Sequence, residues 1–405
     1  MGQTSVGIDI AKEFHWVSVT VPDPGTGKAV EVLSRRVGND PGDIAAMIEQ
    51  IEAVAGEHGP VTVGIDVLGG IARLVEVMLL QAGLVLVHVP GLAVKTTRRA
   101  TRGGEHKSDP RDARVIADLV RTRDDLRVIS EASDADVALG LLVSRRRDLV
   151  VDQTRRIGRL RNLVCSIHPG LERVVDPTHK VDLVLLARYV TPAEIRRAGT
   201  TRIAAQLLRS GRQRRDVVDR LAAAAVAAAE QQRITLPAEQ VAAAIVKDLA
   251  GEALDVRAKI DALDAQIAEL LDHHPDAALI RSLPGMGATL TAELLAVAGG
   301  LNRFATGDQL ASAAGLAPAL QQSGKVRYLQ RATSGDRTLK MIFYQSAFCA
   351  LQRDPASRAY YDRKRHEGKT HHQAVIALAR RRINVLHAIL RSRQPYRQPA
   401  EQAAA

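Results

Sequence analysis

The sequence predicts an α/β domain at the N-terminus, followed by a region that is all α-helical. Three observations carry this prediction. Short runs rich in Val and Ile alternate with amphipathic helical patterns over the first third of the chain. One unbroken helical pattern then covers 133–168. A seven-residue repeat of apolar residues, typical of packed helices, covers 249–270. With 405 residues, the chain is long enough for two or three domains.

The first third of the chain contains five strand patterns and three helix patterns. In chain order these are strands at 5–10, 14–21 and 29–37, a helix at 41–57, a strand at 61–66, a helix at 71–82, a strand at 84–89, a basic loop at 95–107 and a helix at Asp109–Thr122. The turn at 22–28 predicts an antiparallel meander, and the strand–helix–strand unit after it predicts two parallel strands. This is the element order of the ribonuclease H-like fold, in which the first and fourth strands are neighbours at the centre of the sheet.

Four aspartates lie where this fold would bring them together. Asp9 and Asp66 lie inside strand patterns, where acids are depleted, and neighbouring first and fourth strands would set them side by side. Asp109 and Asp112 lie three apart, on one face at the start of the last helix. Clustered carboxylates repel each other, so we predict a site for one or two Mg²⁺ ions. The alternative for the second pair is a solvated pair of acids that suits a helix dipole.

The overall charge indicates a nucleic-acid partner. The formal net charge is +11 with a pI near 9.9, which favours an anionic partner. Aromatic residues make up only 3% of the chain, so contacts to phosphates rather than base stacking must supply most of the binding. Two cysteines give neither a disulfide framework nor a zinc site. Without a signal peptide or a long apolar span, we expect a cytoplasmic, nucleoid-associated protein with no membrane partner.

Two basic regions are predicted to bind nucleic acid. The alternative for both is an ordinary solvated face. The predicted contact residues on the long helix are Arg145, Arg146, Arg155, Arg156 and Arg159, and those near the C-terminus are Arg363, Lys364, Arg365, Arg380 and Arg381.

Three other segments have distinct patterns. The repeat at 249–270 predicts a coiled coil, formed either within the chain or between copies of it. Residues 283–296 are similar to a helix-hairpin-helix turn, whose glycines let backbone N–H groups approach a phosphate; a plain Pro-Gly turn is the alternative. Residues 170–237 suggest irregular helices without evident chemistry, and the tail from 395 is expected to be disordered.

Ser323 is a possible nucleophile in a short loop. A serine that attacks phosphorus needs positive charge nearby, which Lys325, Arg327 and Arg331 could supply. The alternative is that this Ser-Gly pair forms only a turn.

Two distant blocks of the chain resemble one family, the DEDD transposases of bacterial insertion sequences (the insertion-sequence one-ten family). These are bridge-RNA-guided recombinases related to the pilin-gene invertases. The N-terminal block matches through VGIDIAKEFHWVSV, VTVGIDVLGG and GEHKSDPRDARVIADLVRTRDDL. The C-terminal block matches through LPGMGATLTAELLA, FATGDQLASAAGLAP, QQSGKVR and SGDRTLKMIFYQSA.

The resemblance implies a domain plan. It consists of a RuvC-like nuclease domain at 1–130, a helical and coiled-coil region at 131–275, a helical transposase domain with the catalytic serine at 276–394, and a tail at 395–405. By motif, Asp9, Asp109 and Asp112 take three of the four metal-binding acid positions, and Ser323 takes the nucleophile position. The second acid position departs from the commoner Glu, and the matching strand offers Asp66.

The resemblance also implies a reaction and partners. The reaction is Mg²⁺-dependent cleavage and exchange of DNA strands through a covalent phosphoserine. A structured noncoding guide RNA would pair with donor and target double-stranded DNA. Because the two halves of the active site lie far apart in the sequence, we expect different subunits of a homodimer or homotetramer to supply them, with the repeat at 249–270 as the candidate contact. Two other readings stay open: an endonuclease of Holliday-junction type that uses the metal alone, and an inactive DNA- or RNA-binding protein.

Overall fold

The computed structural model describes residues 4–101, 105–131, 133–324, 326–330, 332 and 334–398. The chain divides into two compact units, Met1–Ala132 and Ser133–Ala405.

The first unit is a twisted sheet with helices packed on it. Its strands are β1 (Thr4–Asp9), β2 (Phe14–Pro22), β3 (Ala29–Gly38), β4 (Val61–Ile65), β5 (Val85–His88) and β6 (Arg127–Val128). Its helices are α1 (Pro41–His58), α2 (Arg73–Gln81), α3 (Gly91–Ala100) and α4 (Asp109–Thr122). The strand order is β3-β2-β1-β4-β5-β6. Strands β1, β4 and β5 run parallel to their neighbours in this series, and the β1–β2 and β2–β3 pairs are antiparallel.

The expected meander and the central pairing of the first and fourth strands are both present. This is the order of a ribonuclease H-like sheet. One expectation for this unit is wrong: residues 95–100 belong to helix α3 and not to a basic loop. Val94 is buried and anchors that helix, so one apolar contact orders a segment whose composition is otherwise polar and basic.

Two glycines let α4 lie directly on the sheet. Gly7 and Gly64 pair in register on β1 and β4. A Cβ atom at Gly7 would lie 2.0 Å from the carbonyl oxygen of Ala113 on α4. A Cβ atom at Gly64 would lie 2.4 Å from Cγ2 of Val120 on the same helix. Since neither position has room for a side chain, the paired glycines set how closely α4 approaches β1 and β4.

Gly7→Ala should destabilise the first unit by about 1–3 kcal/mol, because the methyl group must push α4 off the sheet. Thermal unfolding followed by circular dichroism would measure this. Gly56→Ala is the matched control: Gly56 lies in α1 with open space around its Cα, so alanine there should be neutral or slightly stabilising. Equal unfolding temperatures for wild type and Gly7→Ala would contradict the close-packing account.

The second unit is helical apart from one hairpin. Its helices are α5 (Asp134–Ile167), α6 (Pro169–Glu172), α7 (Lys180–Leu186), α8 (Pro192–Arg209), α9 (Arg215–Gln231), α10 (Glu239–His273), α11 (Ala277–Ser282), α12 (Ala288–Ala298), α13 (Gly307–Ala313), α14 (Arg337–Ala350), α15 (Pro355–His366) and α16 (His371–Ser392). The hairpin consists of β7 (Ala319–Ser323) and β8 (Val326–Gln330). No helix among the described residues is both long enough and apolar enough to cross a membrane.

The long helices α5 and α10 pack antiparallel within the chain. Arg146 of α5 pairs with Asp264 of α10, and Arg156 pairs with Glu252. The predicted repeat lies in α10, and its members Ala253, Val256 and Ile267 are buried in this arrangement. Packing within the chain therefore accounts for the apolar periodicity of these members without a second copy.

The two hydrophobic cores of the second unit share these helices. Helices α6 to α9 pack around one core, which includes Leu160 of α5 and Val246 of α10. Helices α11 to α16 pack around the other, which includes Val143 of α5 and Ile267 of α10. Each long helix therefore contributes one end to each core.

The turn between α11 and α12 occupies the segment that is similar to a helix-hairpin-helix motif. Gly285 has a φ of +81°, and a Cβ atom there would lie 2.4 Å from the carbonyl oxygen of Ser346 on α14. The guanidinium of Arg382, which is 3% exposed, donates to the carbonyl of Pro284. Gly285 is therefore required for packing inside the unit.

Tyr396 lies at the start of the tail that was expected to be disordered, and it contacts this core. The backbone N–H of Tyr396 donates to Ser282 Oγ at 2.9 Å, and the Tyr396 side chain packs against the core. The expectation for 399–405 lies outside the described residues.

Candidate active site

The ends of β1 and β4 place two aspartates side by side. Asp9 is the last residue of β1, and Asp66 directly follows β4. The preceding residues, Ile8 and Ile65, are partners in the parallel register. The backbone N–H of Ile10 donates to Asp66 Oδ1 at 3.4 Å and orients that carboxylate.

The N-terminus of α4 brings in the other two acids. Asp109 is the first residue of the helix, and Asp112 lies one turn further and is 4% exposed. Nη1 of Arg98, on α3, contacts both carboxylate oxygens of Asp112 at 2.6 Å. The side chains of this ion pair are 12% and 5% exposed. Arg98 thus neutralises a carboxylate that water cannot reach well.

The sequence analysis missed Arg98. It lies in the segment expected to be a loop, fourteen residues before Asp112, and no spacing rule connects residues across two separate helices. Several other basic residues lie in the same segment, so composition alone did not single out Arg98. Only the packing of α3 against α4 reveals the pair.

The electrostatics of the cluster favour protonation of one carboxylate. Burial and, to a lesser degree, the nearby charges of Asp66, Asp112 and Asp109 together raise the pKa of Asp9 to about 7, while Lys107 opposes them. Burial also raises the pKa of Asp66, against the hydrogen bond from the Ile10 N–H, which lowers it. The four predicted acids therefore interact with one another through space.

The donor chemistry of these side chains suits a hard divalent cation. Mg²⁺ commonly takes one or two carboxylates together with phosphate oxygens, and Asp9 and Asp66 form such a pair. Within the described part of the chain, no group of three or more His, Cys, Asp or Glu side chains is arranged to hold an ion together.

In the absence of divalent cations, the stability of wild type relative to Asp9→Asn should depend on pH. The folded state holds the Asp9 proton more tightly than the unfolded chain does. The stabilisation of the folded state by this proton is complete below the ordinary aspartate pKa and is lost as the pH rises from about 4 to about 7. Above that pH, the difference in stability between the two proteins stays constant.

Unfolding temperatures across that pH range would test this, with Asp118→Asn, a half-exposed aspartate on α4, as the matched control. Asp9→Asn should gain on wild type toward neutral pH, beyond any change that the control shows. A constant difference for Asp9→Asn would contradict the raised pKa.

Arg98→Ala should destabilise the protein by about 3–5 kcal/mol, because the buried Asp112 carboxylate loses its partner. Adding Asp112→Asn to Arg98→Ala should restore most of the loss, since the remaining amide carries no charge. Arg99→Ala, at the neighbouring exposed arginine, is the control and should unfold as wild type does. Denaturant unfolding measures all three, and a double variant no more stable than Arg98→Ala would refute the pairing.

Ser323 lies in the second unit, at the end of β7 and not in a loop as expected. It pairs with Val326 across a tight turn whose first residue, Gly324, has a φ of +54°. The described residues of this hairpin are all exposed, Ser323 and Arg327 among them. A two-residue turn of this kind requires positive φ, which explains the glycine. Lys325 and Arg331, predicted to supply positive charge here, lie outside the described residues.

The predicted nucleic-acid residues of α5 divide into two groups. Arg146 and Arg156 form the ion pairs with α10, and their side chains are about one-fifth exposed. Arg145, Arg155 and Arg159 are exposed on the helix surface. The second group is therefore the part of α5 available to an anionic partner.

The C-terminal basic residues surround one tyrosine. Cations of Arg363, Lys364 and Arg381 lie 5.0, 5.6 and 4.8 Å from the ring centroid of Tyr360. Arg365 donates to the backbone carbonyl of Lys369 at 2.8 Å, and Arg380 pairs with Asp308.

The first unit thus combines the strand order of a ribonuclease H-like sheet with carboxylates at the ends of its two central strands. Comparisons with known proteins identify the family. A family model for DEDD transposases of the IS110 type, described as Transposase, matches residues 6–169. A second, described as Transposase IS116/IS110/IS902 family, matches residues 277–362.

Similar proteins occur in several bacteria. The chain is 42% identical to the uncharacterised 42 kDa protein of insertion element IS900 from Mycobacterium paratuberculosis, over 98% of each chain. It is 38% identical to the uncharacterised 44.8 kDa protein of insertion element IS116 from Streptomyces clavuligerus, over 96% of this chain and 95% of the other. A pilin gene-inverting protein of Moraxella lacunata is 33% identical over 34% of this chain and 45% of its own length.

One solved structure aligns with part of the chain. T. thermophilus RuvC in complex with a Holliday junction substrate aligns with 31% of this chain and 99% of its own, at 16% identity and a TM-score of 0.23. The chain belongs to the IS116/IS110/IS902 family of insertion-sequence transposases, which are DNA-cleaving and rejoining enzymes of the recombinase type. The family resemblance noted in the sequence is thus confirmed.

Proposed function

We propose that this transposase cleaves and rejoins DNA strands through a covalent link to Ser323, with Mg²⁺ held by the acid cluster and a noncoding RNA as guide. The observation that carries the proposal is that Asp109 and Asp112, at the start of α4, lie near Asp9 and Asp66 at the ends of the central strands. Anions crowded in this way are unfavourable for the isolated protein, as the raised pKa of Asp9 records.

Asp9 and Asp66 are the residues we assign to hold the metal ion first. Arg98 binds both oxygens of Asp112, so Asp112 joins only when that ion pair opens. Asp109, at the helix start, completes the acid set. When bound, the cation would neutralise charge on the scissile phosphate and on the oxygens entering and leaving phosphorus.

Ser323 is the nucleophile in this proposal. Its Oγ gives up its proton and attacks phosphorus, the bond from phosphorus to the leaving deoxyribose oxygen breaks, and that oxygen takes up a proton, so the number of protons is unchanged. The phosphodiester is thereby exchanged for a phosphoserine of similar energy, so a hydroxyl of another strand can reverse the step and regenerate the serine. The exposed position of Ser323 at a hairpin tip makes it accessible to a phosphate, and Arg327 on the same hairpin offers positive charge.

Positive charge supports the proposed nucleic-acid partners. The net charge of +11 and the exposed Arg145, Arg155 and Arg159 suit phosphate backbones of donor and target DNA. The guide RNA follows from the family resemblance, as does assembly into a dimer or tetramer. In such a system base pairing recognises the DNA sequence, and the protein recognises the shape and charge of the nucleic acid.

Ser323→Ala should abolish a covalent protein–DNA adduct while leaving DNA binding within about twofold of wild type, because removing one hydroxyl leaves the phosphate contacts intact. The protein would be incubated with Mg²⁺, RNA transcribed from the flanks of the gene and labelled donor and target DNA. Labelled adducts would then be separated on a denaturing protein gel.

Two controls sharpen this trapping experiment. Ser334→Ala removes a neighbouring exposed serine and should keep the adduct. Asp9→Asn should lose both adduct and cleavage, whereas Asp118→Asn should keep both. Cleavage by Ser323→Ala without an adduct would replace our proposal with a nuclease that uses the metal alone. Binding without any cleavage by the wild type would leave only a nucleic-acid-binding protein.

A further inference from the structure

A row of aromatic and cationic side chains lies beside the acid cluster, across strands β2 and β3. Asp9 of β1 pairs in register with Trp16 of β2, and Trp16 pairs with Arg36 of β3. Residues directly opposite each other on neighbouring strands share one face of the sheet. The row therefore passes from carboxylate to indole to guanidinium on the face that carries Asp9.

Phe14 extends this row into a flat platform. It lies two residues before Trp16 on β2, so it is on the same face. Arg36 places its guanidinium 3.5 Å from the centroid of the Phe14 ring. The partner of Phe14 on β3 is Gly38, which has no side chain to cover the ring. We call Phe14, Trp16 and Arg36 the aromatic platform.

The platform borders a cavity that also reaches the acids. The cavity has a volume of about 500 Å³ and is lined by residues 11–16, Arg36 and Asp109. This volume is within the range of pockets that accept small ligands. Asp109 is one of the four clustered acids, so anything bound in the cavity lies next to the candidate active site.

The stability of the fold does not explain why Phe14 and Trp16 are aromatic. The chain has one Trp and four Phe residues, and Phe14 leaves 41% of its surface in water. A residue needed for core packing would be buried, as Phe343 is. The Trp16 indole N–H donates to Ser34 Oγ at 3.1 Å, which fixes the ring at the surface of the sheet. Aromatic surface is thus scarce in this protein, and some of it is held exposed beside the acids.

We propose that the aromatic platform stacks a nucleobase of the DNA strand next to the phosphate that the acid cluster engages. Stacking on an aromatic ring or on an arginine plane is how proteins hold an unpaired base. The Arg36 guanidinium lies over the Phe14 ring and would also supply charge for the adjoining phosphate. The platform is a positioning element: it fixes the strand and takes no part in bond breaking. This inference rests on the proposed role of the acid cluster in DNA cleavage.

DNA, and not RNA or a protein, is the occupant to which we commit. The cavity contains Asp109, so its ligand must include the strand whose phosphate reaches the acids. A protein partner that covered Phe14 would also block access to Asp109. The low aromatic content of the whole chain is consistent with a single local stacking site, with phosphate contacts elsewhere.

Photochemical cross-linking tests the platform without requiring cleavage. The probe is a short single-stranded DNA with one central 5-iododeoxyuridine, which couples to an aromatic ring stacked on it. Trypsin releases residues 13–28 as one peptide that contains both Phe14 and Trp16. We expect the DNA adduct on this peptide, and we expect Phe14→Leu to bind the DNA about tenfold more weakly with loss of most of the adduct.

Phe14→Leu is compared with wild type and with a control variant in DNA binding, and with wild type in cleavage. Phe14→Leu keeps an apolar side chain under Arg36 and so preserves the fold. Phe348→Leu, at a ring 40% exposed in the second unit, is the matched control and should bind as wild type. In cleavage assays, Phe14→Leu should raise KM about tenfold with kcat nearly unchanged, because the platform holds the strand and does not act on phosphorus.

Other outcomes would overturn the inference. Adducts only on other peptides, or on this peptide only with the matching 5-iodouridine RNA, would remove the DNA stacking role. An unchanged adduct in Phe14→Leu and Trp16→Leu would do the same. If Ser323→Ala still formed covalent DNA adducts, the proposed serine chemistry would fail, yet the cross-link at residues 13–28 would be unaffected and would stand separately.

Discussion

The close contact of α4 with the central strands is the constraint on which the candidate active site depends. Gly7 and Gly64 leave the faces of β1 and β4 bare, so backbone and side-chain atoms of α4 fill the space that a Cβ would occupy. Since Asp109 and Asp112 start that helix, the same contact carries them toward Asp9. One repeated Gly-Ile-Asp motif thus has two roles: its glycines dock the helix, and its aspartates meet the acids that the helix brings.

The gathered acids make binding and stability parts of one equilibrium. Without a cation, the folded protein holds a proton on Asp9 below about pH 7 and an arginine on Asp112. A ligand that binds only the folded state stabilises it in proportion to its binding free energy. A metal ion at the cluster would therefore compete with the proton for Asp9 and with Arg98 for Asp112. Either exchange would leave less uncompensated negative charge than four ionised acids without partners.

Residue patterns within short segments were enough to predict the helices and strands that those segments form. The helix Asp109–Thr122 was predicted with the bounds that it has, and strand order was enough to predict that Asp9 and Asp66 would meet. Contacts between distant segments could not be read in the same way. Arg98 was hidden in a segment that looked like a loop, and Arg146 and Arg156 are engaged by acids of α10 about a hundred residues away. A basic residue on a predicted helix can serve a neighbouring helix or an external anion equally well, and only packing distinguishes the two.

The sharing of α5 and α10 between two cores limits how the chain can be divided. A cut at 275, between the helical region and the C-terminal segment expected from the family resemblance, would separate Leu139, Val143, Ile267 and Leu271 from the apolar side chains that cover them. A fragment starting at 276 would expose that surface and associate through it. Autonomous pieces of this protein must therefore begin before α5, so the smallest soluble fragment that carries Ser323 also carries both long helices.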